Sequence, residues 1–370
     1  MGVQENLSTI LIYAITFLVL IAIIFFVQPE NLINKLFQLG FRGIFLLVLL
    51  YSIDLCVRAY RWKILLIAQG IHLSVKSLIS PVVSALAINL FTIARAGETA
   101  RLFALKRNHD TKYSDTLSSI VIEQILSIIG LLVVISSGLF LLTSSLYQIE
   151  DSRLIQQLVA ILFLVSMCVL LVLGLMMIKP EFLQRLIVLF PPIIEKRMSS
   201  VYQAFLLGIT DLRSKPLLLI QGLVTSVIIW VIEGVMLYVI AYSVFPAFEI
   251  TDLPWSIVAS CVGNITFIIP VLPGAMGEYE AVVALILINS PNYPGTYATL
   301  VALIDRVAKS VILGFFGGYA ILRLGGKELL QMRKAYSLAT NSKSESETKS
   351  DAGMIKKSFT NGDDAIQNKE

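Results

Sequence analysis

The stretch GNITFIIPVLPGAMGEYEAVVALILIN, Gly263 to Asn289, decides the fold of this chain. It lies among apolar runs near twenty residues long, each able to cross a roughly 30 Å hydrocarbon core. The whole sequence of 370 residues is 56% hydrophobic and only 15% charged. Its mean hydropathy is +0.82. These values define an all-α polytopic membrane protein. The quoted stretch breaks the pattern. Pro270 and Pro273 withhold their N–H groups from a helix, Gly274 and Gly277 remove side chains, and Glu278 and Glu280 place acids where a returning helix starts. Its last apolar piece, Ala281 to Ile288, spans roughly 12 Å at 1.5 Å per residue and cannot cross alone. Irregular backbone at membrane depth is tolerable only beside protein or a water-filled cavity. The stretch therefore reads as part of a re-entrant helical hairpin, with a kinked, solid packing helix as the plain alternative.

Working outward, about six full spans are expected: Leu7 to Val27, Gly43 to Ile67, Leu117 to Leu142, Leu154 to Ile178, Leu217 to Phe245 and Thr299 to Leu322. Val82 to Ala94 is again too short to cross. The first run has no Lys or Arg before it and no small-residue cleavage signal behind it, so it reads as a retained helix. Basic residues cluster in Arg95 to Lys112, in Lys179 to Lys215 and after the last span, which puts those segments and both termini in the cytoplasm. Ser144 to Gln156, Pro246 to Pro254 and Ser290 to Ala298 are poor in basic residues and belong outside. The topology closes only with two re-entrant hairpins: Val82 to about Phe103 from the inner face, and Trp255 to Ile288 from the outer. Halves at roughly 40–145 and 215–325 are then inverted copies, the plan of transporters with a site near the midplane. Asn89 to Glu98 and Asn264 to Glu278 echo this, each passing from Asn through an apolar stretch to Gly-Glu. A linker at about 179–215, surface-lying or a simple loop, joins the halves. Residues 1–330 form the membrane domain. Residues 337–370 are too polar to offset the entropy of ordering and read as a disordered cytoplasmic tail.

Charged residues at membrane depth need a partner or a purpose, because each costs roughly 2.5–3.5 kcal/mol to insert. Asp54, Arg58 and Arg61 share one helical face. Asp54 and Arg58 suit either an internal ion pair or a cavity wall, while Arg61, beside Trp62 and Lys63, is expected to snorkel to the inner interface. Arg95, Glu98 and Arg101 surround the helix start after Gly97, which suits either a phosphate seat or a positive-inside cluster. Glu123 with Gln124 lies inside the third span. Glu233 has no partner in its own span and must find a cation elsewhere, with Arg58 or Arg306 as candidates. Asp305 and Lys309 are spaced to pair at i, i+4.

Other function classes find little support. The net charge of +4 reflects inner loops, so no nucleic acid is expected as a partner. Cys56, Cys168 and Cys261 are far apart inside apolar runs, and His72 and His109 stand alone. No metal, cofactor or disulfide is expected.

At these residues the sequence resembles the lysylphosphatidylglycerol synthase transmembrane family, a flippase-like domain. The matching elements are RAYRW (Arg58 to Trp62), NLFTIARAGETAR (Asn89 to Arg101), Glu123, PVLPGAMGEYE (Pro270 to Glu280) and Asp305-Arg306, which together cover most of residues 1–330. The family's second motif reads P-G-G-x-G-x-x-E, and Ala275 stands in place of its second Gly. Gln124 stands where the family usually has Arg, so this chain offers no cation there. The resemblance implies movement of an anionic phospholipid or polyprenyl-linked headgroup between leaflets of the plasma membrane. The soluble aminoacyl-transferase domain of full-length members is not expected in this chain. Transport rather than catalysis is therefore the leading expectation. A membrane transferase with Glu280 or Glu98 as general base, or a non-transporting scaffold of a lipid or glycan pathway, are the alternatives. The protein partners considered are a second copy of the chain and a pathway glycosyltransferase or lipid synthase.

Overall fold

The computed structural model describes residues 38–92, 97–109, 111–146, 157, 160–161, 163–171, 203, 206, 208–245, 249–267, 275, 277–290 and 295–324. The span expected at Leu7 to Val27, the tail at 337–370, most of the linker, and Arg95, Pro270, Pro273 and Gly274 lie outside the described residues. Eight helices follow in order: α1 Gly40–Ala68, α2 Val75–Phe91, α3 Gly97–His109, α4 Tyr113–Leu146, α5 Pro216–Val244, α6 Leu253–Ile265, α7 Glu278–Leu287 and α8 Gly295–Leu324. Residues 163–171 and 208–213 are also helical, and no strand occurs among the described residues. The chain divides into two compact units, Met1–Ala320 and Ile321–Glu370. Of the second, only the last turn of α8 is described.

Among the described residues, three helices are long and apolar enough to cross a membrane: Gly40–Ala68, Tyr113–Leu142 and Pro216–Val244. α8 is as long, but it carries Asp305, Arg306 and Lys309 along its middle. The short apolar piece expected at 82–94 is corrected to α2, which starts earlier because Ser74 caps it, its Oγ accepting the Ser77 N–H at 3.3 Å. α2 runs through Pro81 and ends at Phe91. Pro216 opens α5 at a position where its missing N–H is harmless.

Three apolar clusters hold the helices together. Leu65 of α1, Ile122 and Leu126 of α4 and Ile209 form one. Leu131 to Leu142 of α4, Trp230 of α5 and Trp255 and Val258 of α6 form the second. Ala59, Trp62 and Leu66 of α1 meet Leu78 and Val82 of α2 and Leu105 of α3 in the third. Two indoles add polar ties: Trp230 Nε1 donates to the Ser127 carbonyl at 2.8 Å, and Trp62 Nε1 to Ser119 Oγ at 3.1 Å. Small residues let backbones approach, as membrane helices require without a hydrophobic drive between them. A Cβ on Gly234 of α5, for instance, would lie 2.6 Å from Ile257 Cα of α6.

Two helix pairs frame the site, and each is antiparallel. In the first, Gly97 at the start of α3 lies against Ala85 and Asn89 of α2, while Leu105, further along α3, packs with Leu78. In the second, Gly263 of α6 lies against Tyr279 and Val283 of α7, while Ser290 Oγ, past the end of α7, donates to Asp252 Oδ1 at 3.1 Å.

Candidate functional site

In each helix pair the second helix starts at a glycine whose N–H is taken by a side chain. The Gly97 N–H donates to Asn89 Oδ1 at 2.8 Å, so the dipole end singled out as a phosphate seat is capped from α2. The Gly277 N–H donates to Glu280 Oε2 at 2.7 Å. Gly277 sits at φ +86°, which glycine adopts without strain. Glu278 opens α7 as expected, where an acid suits the positive helix end. Ala275, in place of the family's glycine, sits at φ +51° and is fully buried.

Residues of both helix pairs line a cavity of about 210 Å³. All eight helices reach it, and its wall is charged. Arg58, Arg61, Glu98, Arg101, Glu123, Glu233, Asp305, Arg306 and Lys309 line it, together with Asn89 and Asn264 from the ends of α2 and α6.

The charges fall into two networks. In the first, Glu123 of α4 receives Arg61 Nη2 of α1 at 2.9 Å and Arg101 Nη2 of α3 in a shorter contact. Arg101 also holds Glu98 at 2.9 Å and lies 4.0 Å over the Trp62 ring, and Arg61 donates to Ser226 Oγ at 3.1 Å. Arg61 is thus buried in an interhelical clamp, which corrects its expected snorkelling. The residue is 3% exposed, and a buried cation needs a carboxylate and further hydrogen bonds to offset its desolvation. Gln124, from the position where the family usually has Arg, reaches Glu98 at 3.5 Å.

The second network is a chain of alternating charge. Arg58 bonds Asp54 at 2.6 Å on its own helix and Glu233 of α5 at 2.9 Å. Lys309 of α8 bridges Glu233 at 2.8 Å and Asp305 at 2.9 Å, and Asp305 accepts the Tyr279 hydroxyl of α7 at 2.7 Å. Glu233 therefore takes Arg58, one of the two cations foreseen for it, and Lys309. Glu280 of α7 stands apart from both networks, 3.8 Å from Arg306 Nε.

Of the residues singled out in the sequence, Asp54, Arg58, Asn89, Glu98, Arg101, Glu123, Glu233, Asn264, Asp305 and Arg306 come together at the cavity or in its networks. Gly277 and Glu280 lie just behind the wall. Lys309 and Tyr279 were not assigned to the site. The spacing of Lys309 from Asp305 was a usable signal, whereas nothing local to Tyr279 indicates that its hydroxyl reaches another helix.

These features define a class: an all-helical membrane protein whose helices enclose a charged cavity. The chain belongs to the family described as the lysylphosphatidylglycerol synthase TM region, whose model matches residues 11–317, and so is a membrane protein of lipid metabolism or translocation. No curated protein and no solved structure matches the chain.

Proposed function

We propose that the protein is a lipid translocase, passing an anionic phospholipid or polyprenyl-linked headgroup between leaflets while the tails stay in the bilayer. The observation that carries this reading is the charged cavity lined by residues of both helix pairs. Among the described residues, five cations and six carboxylates come together in its wall and networks: Arg58, Arg61, Arg101, Arg306 and Lys309 with Asp54, Glu98, Glu123, Glu233, Glu280 and Asp305. A simple helix bundle has no need of so many costly groups at membrane depth. The cavity has room for about seven waters, below the roughly 300–1,000 Å³ of pockets that swallow a drug-sized ligand. That size suits a headgroup rather than a whole lipid.

In this account α2–α3 dips from the cytoplasmic face and α6–α7 from the opposite face, as inverted halves. Opening one hairpin and then the other exposes the cavity alternately. Arg306 and Arg58 offer the phosphate its cations, and the carboxylates keep them poised between visits. Purified protein in vesicles carrying fluorescent phospholipids and lipid-linked sugars is the test. Movement of at least one lipid class well above that in protein-free vesicles is expected. No movement of any class would overturn the reading, and turnover of a labelled lipid-linked donor by the same preparation would favour a transferase instead.

A further inference from the structure

Among the described carboxylates of the site, Glu280 has the longest ion pair. Glu280 is 1% exposed and lies behind the cavity wall, whereas Arg306 lines it. Its Oε2 accepts the Gly277 N–H, but Oε1 has no hydrogen-bond partner. Among the described residues the nearest cation, Arg306, is 3.8 Å away, beyond hydrogen-bond distance, while the Arg58, Arg61 and Lys309 pairs close at 2.6–2.9 Å. The guanidinium of Arg306 lies 4.9 Å over the Phe267 ring and 5.9 Å over the Tyr279 ring. Among the described residues, the charges that act most on Glu280 are Arg306 and Asp305, both on α8, and Asp305 is already held by Lys309 and Tyr279. α6 turns the uncharged Asn264 and Phe267 toward the cavity. The buried charge of Glu280 is therefore balanced by a cation that also faces the ligand space.

We propose that Glu280 is a proton-binding site that couples headgroup passage to one proton, an inference that rests on the translocase reading. A phosphate monoanion entering the cavity draws the Arg306 charge from Glu280, because a charge-assisted bond to phosphate is stronger than a 3.8 Å pair. Glu280 is then a buried carboxylate without compensation, a costly state in a dry interior. Water entering with the headgroup supplies one proton, which forms an O–H on Glu280 Oε1. Charge balances at each stage. The empty site holds Arg306 positive and Glu280 negative, and the loaded site holds Arg306 positive, phosphate negative and Glu280 neutral. When the phosphate leaves on the far side, Arg306 returns and the proton departs to the solution on that far side, so the proton taken from the entry side has crossed with the phosphate. Each monoanion thus travels with one proton, and no net charge crosses.

The test uses the full chain in vesicles containing tracer fluorescent phosphatidylglycerol or a fluorescent polyprenyl phosphate, with the membrane potential clamped at zero. With the lumen one pH unit more alkaline, one-to-one coupling enriches a moved monoanion about tenfold in the inner leaflet, since a pH unit is a tenfold proton ratio. Reversing the gradient reverses the enrichment, and imposing a potential alone leaves the leaflets even. In Glu280→Gln the leaflet ratio of whatever lipid moves stays near one. Because that variant could fail to fold, the wild-type protein is also titrated with phosphatidylglycerol in weakly buffered detergent, where about one proton is taken up per lipid bound. Lipid that moves to an even distribution across a pH gradient, or binding without proton uptake, overturns the coupling and leaves translocation standing. Movement of neither lipid overturns the coupling, and only if no other lipid class moves either does translocation fall with it.

Discussion

Two guanidinium groups from different helices, Arg61 of α1 and Arg101 of α3, converge on the carboxylate of Glu123, and both are almost wholly enclosed. Replacing that carboxylate leaves Arg61 without its carboxylate and Arg101 with Glu98, and breaking a buried pair typically costs about 3–5 kcal/mol. Glu123→Gln is therefore expected to lower stability by about that amount in detergent unfolding. Glu98→Gln, at a side chain 21% exposed, should lower it by less than about 1 kcal/mol. Equal losses in the two variants would contradict the clamp. Ala275 makes the opposite case. A residue with a Cβ at φ +51° carries left-handed strain of roughly 1–2 kcal/mol, so Ala275→Gly is expected to raise the unfolding midpoint by the equivalent of about 1 kcal/mol. The sequence exposed these residues unevenly. Glu233 announced its need for a cation because its own helix offers none. Arg61 misled, because beside Trp62 and Lys63 it has the local look of an interface residue, and only the tertiary approach of Glu123 shows otherwise.

At the scale of elements, close approach between helices rests on particular glycines. A Cβ on Gly317 of α8 would lie 2.3 Å from Ala87 Cβ of α2, whereas one on its neighbour Gly318 meets nothing within 4 Å. Gly317→Ala should push α8 from α2 and cost about 1–3 kcal/mol as overpacking. Gly318→Ala should be neutral or stabilise by up to about 1 kcal/mol through helix propensity. A thermal unfolding series on the two variants checks this, and equal behaviour would contradict the packing. Helix positions were legible where polar punctuation marks them: α7 starts at Glu278 after Gly277, and α3 starts at Gly97. The start of α2 was less so. Its first turns carry Lys76 and several serines and look like a connection, yet the Ser74 cap and burial of Leu78 against Trp62 make them helical.

For the whole molecule, hydropathy made the all-helical membrane class legible. What hydropathy could not give is how the charges pair, since Arg58–Glu233 and Arg61–Glu123 join residues 175 and 62 positions apart. Such partners are set by packing, not by local pattern. The account makes the enclosed charged space a passage rather than a structural knot, and a passage must be reachable by water from each side in turn. The most direct measurement places a cysteine at Ser310 on the cavity wall, with Cys56, Cys168 and Cys261 replaced, and applies a membrane-impermeant thiol reagent to either side of sealed vesicles. Labelling from both sides, slowed by added phosphatidylglycerol or polyprenyl phosphate, is the result expected. A thiol that stays unlabelled from both sides, while reacting once the protein is unfolded, would contradict the account.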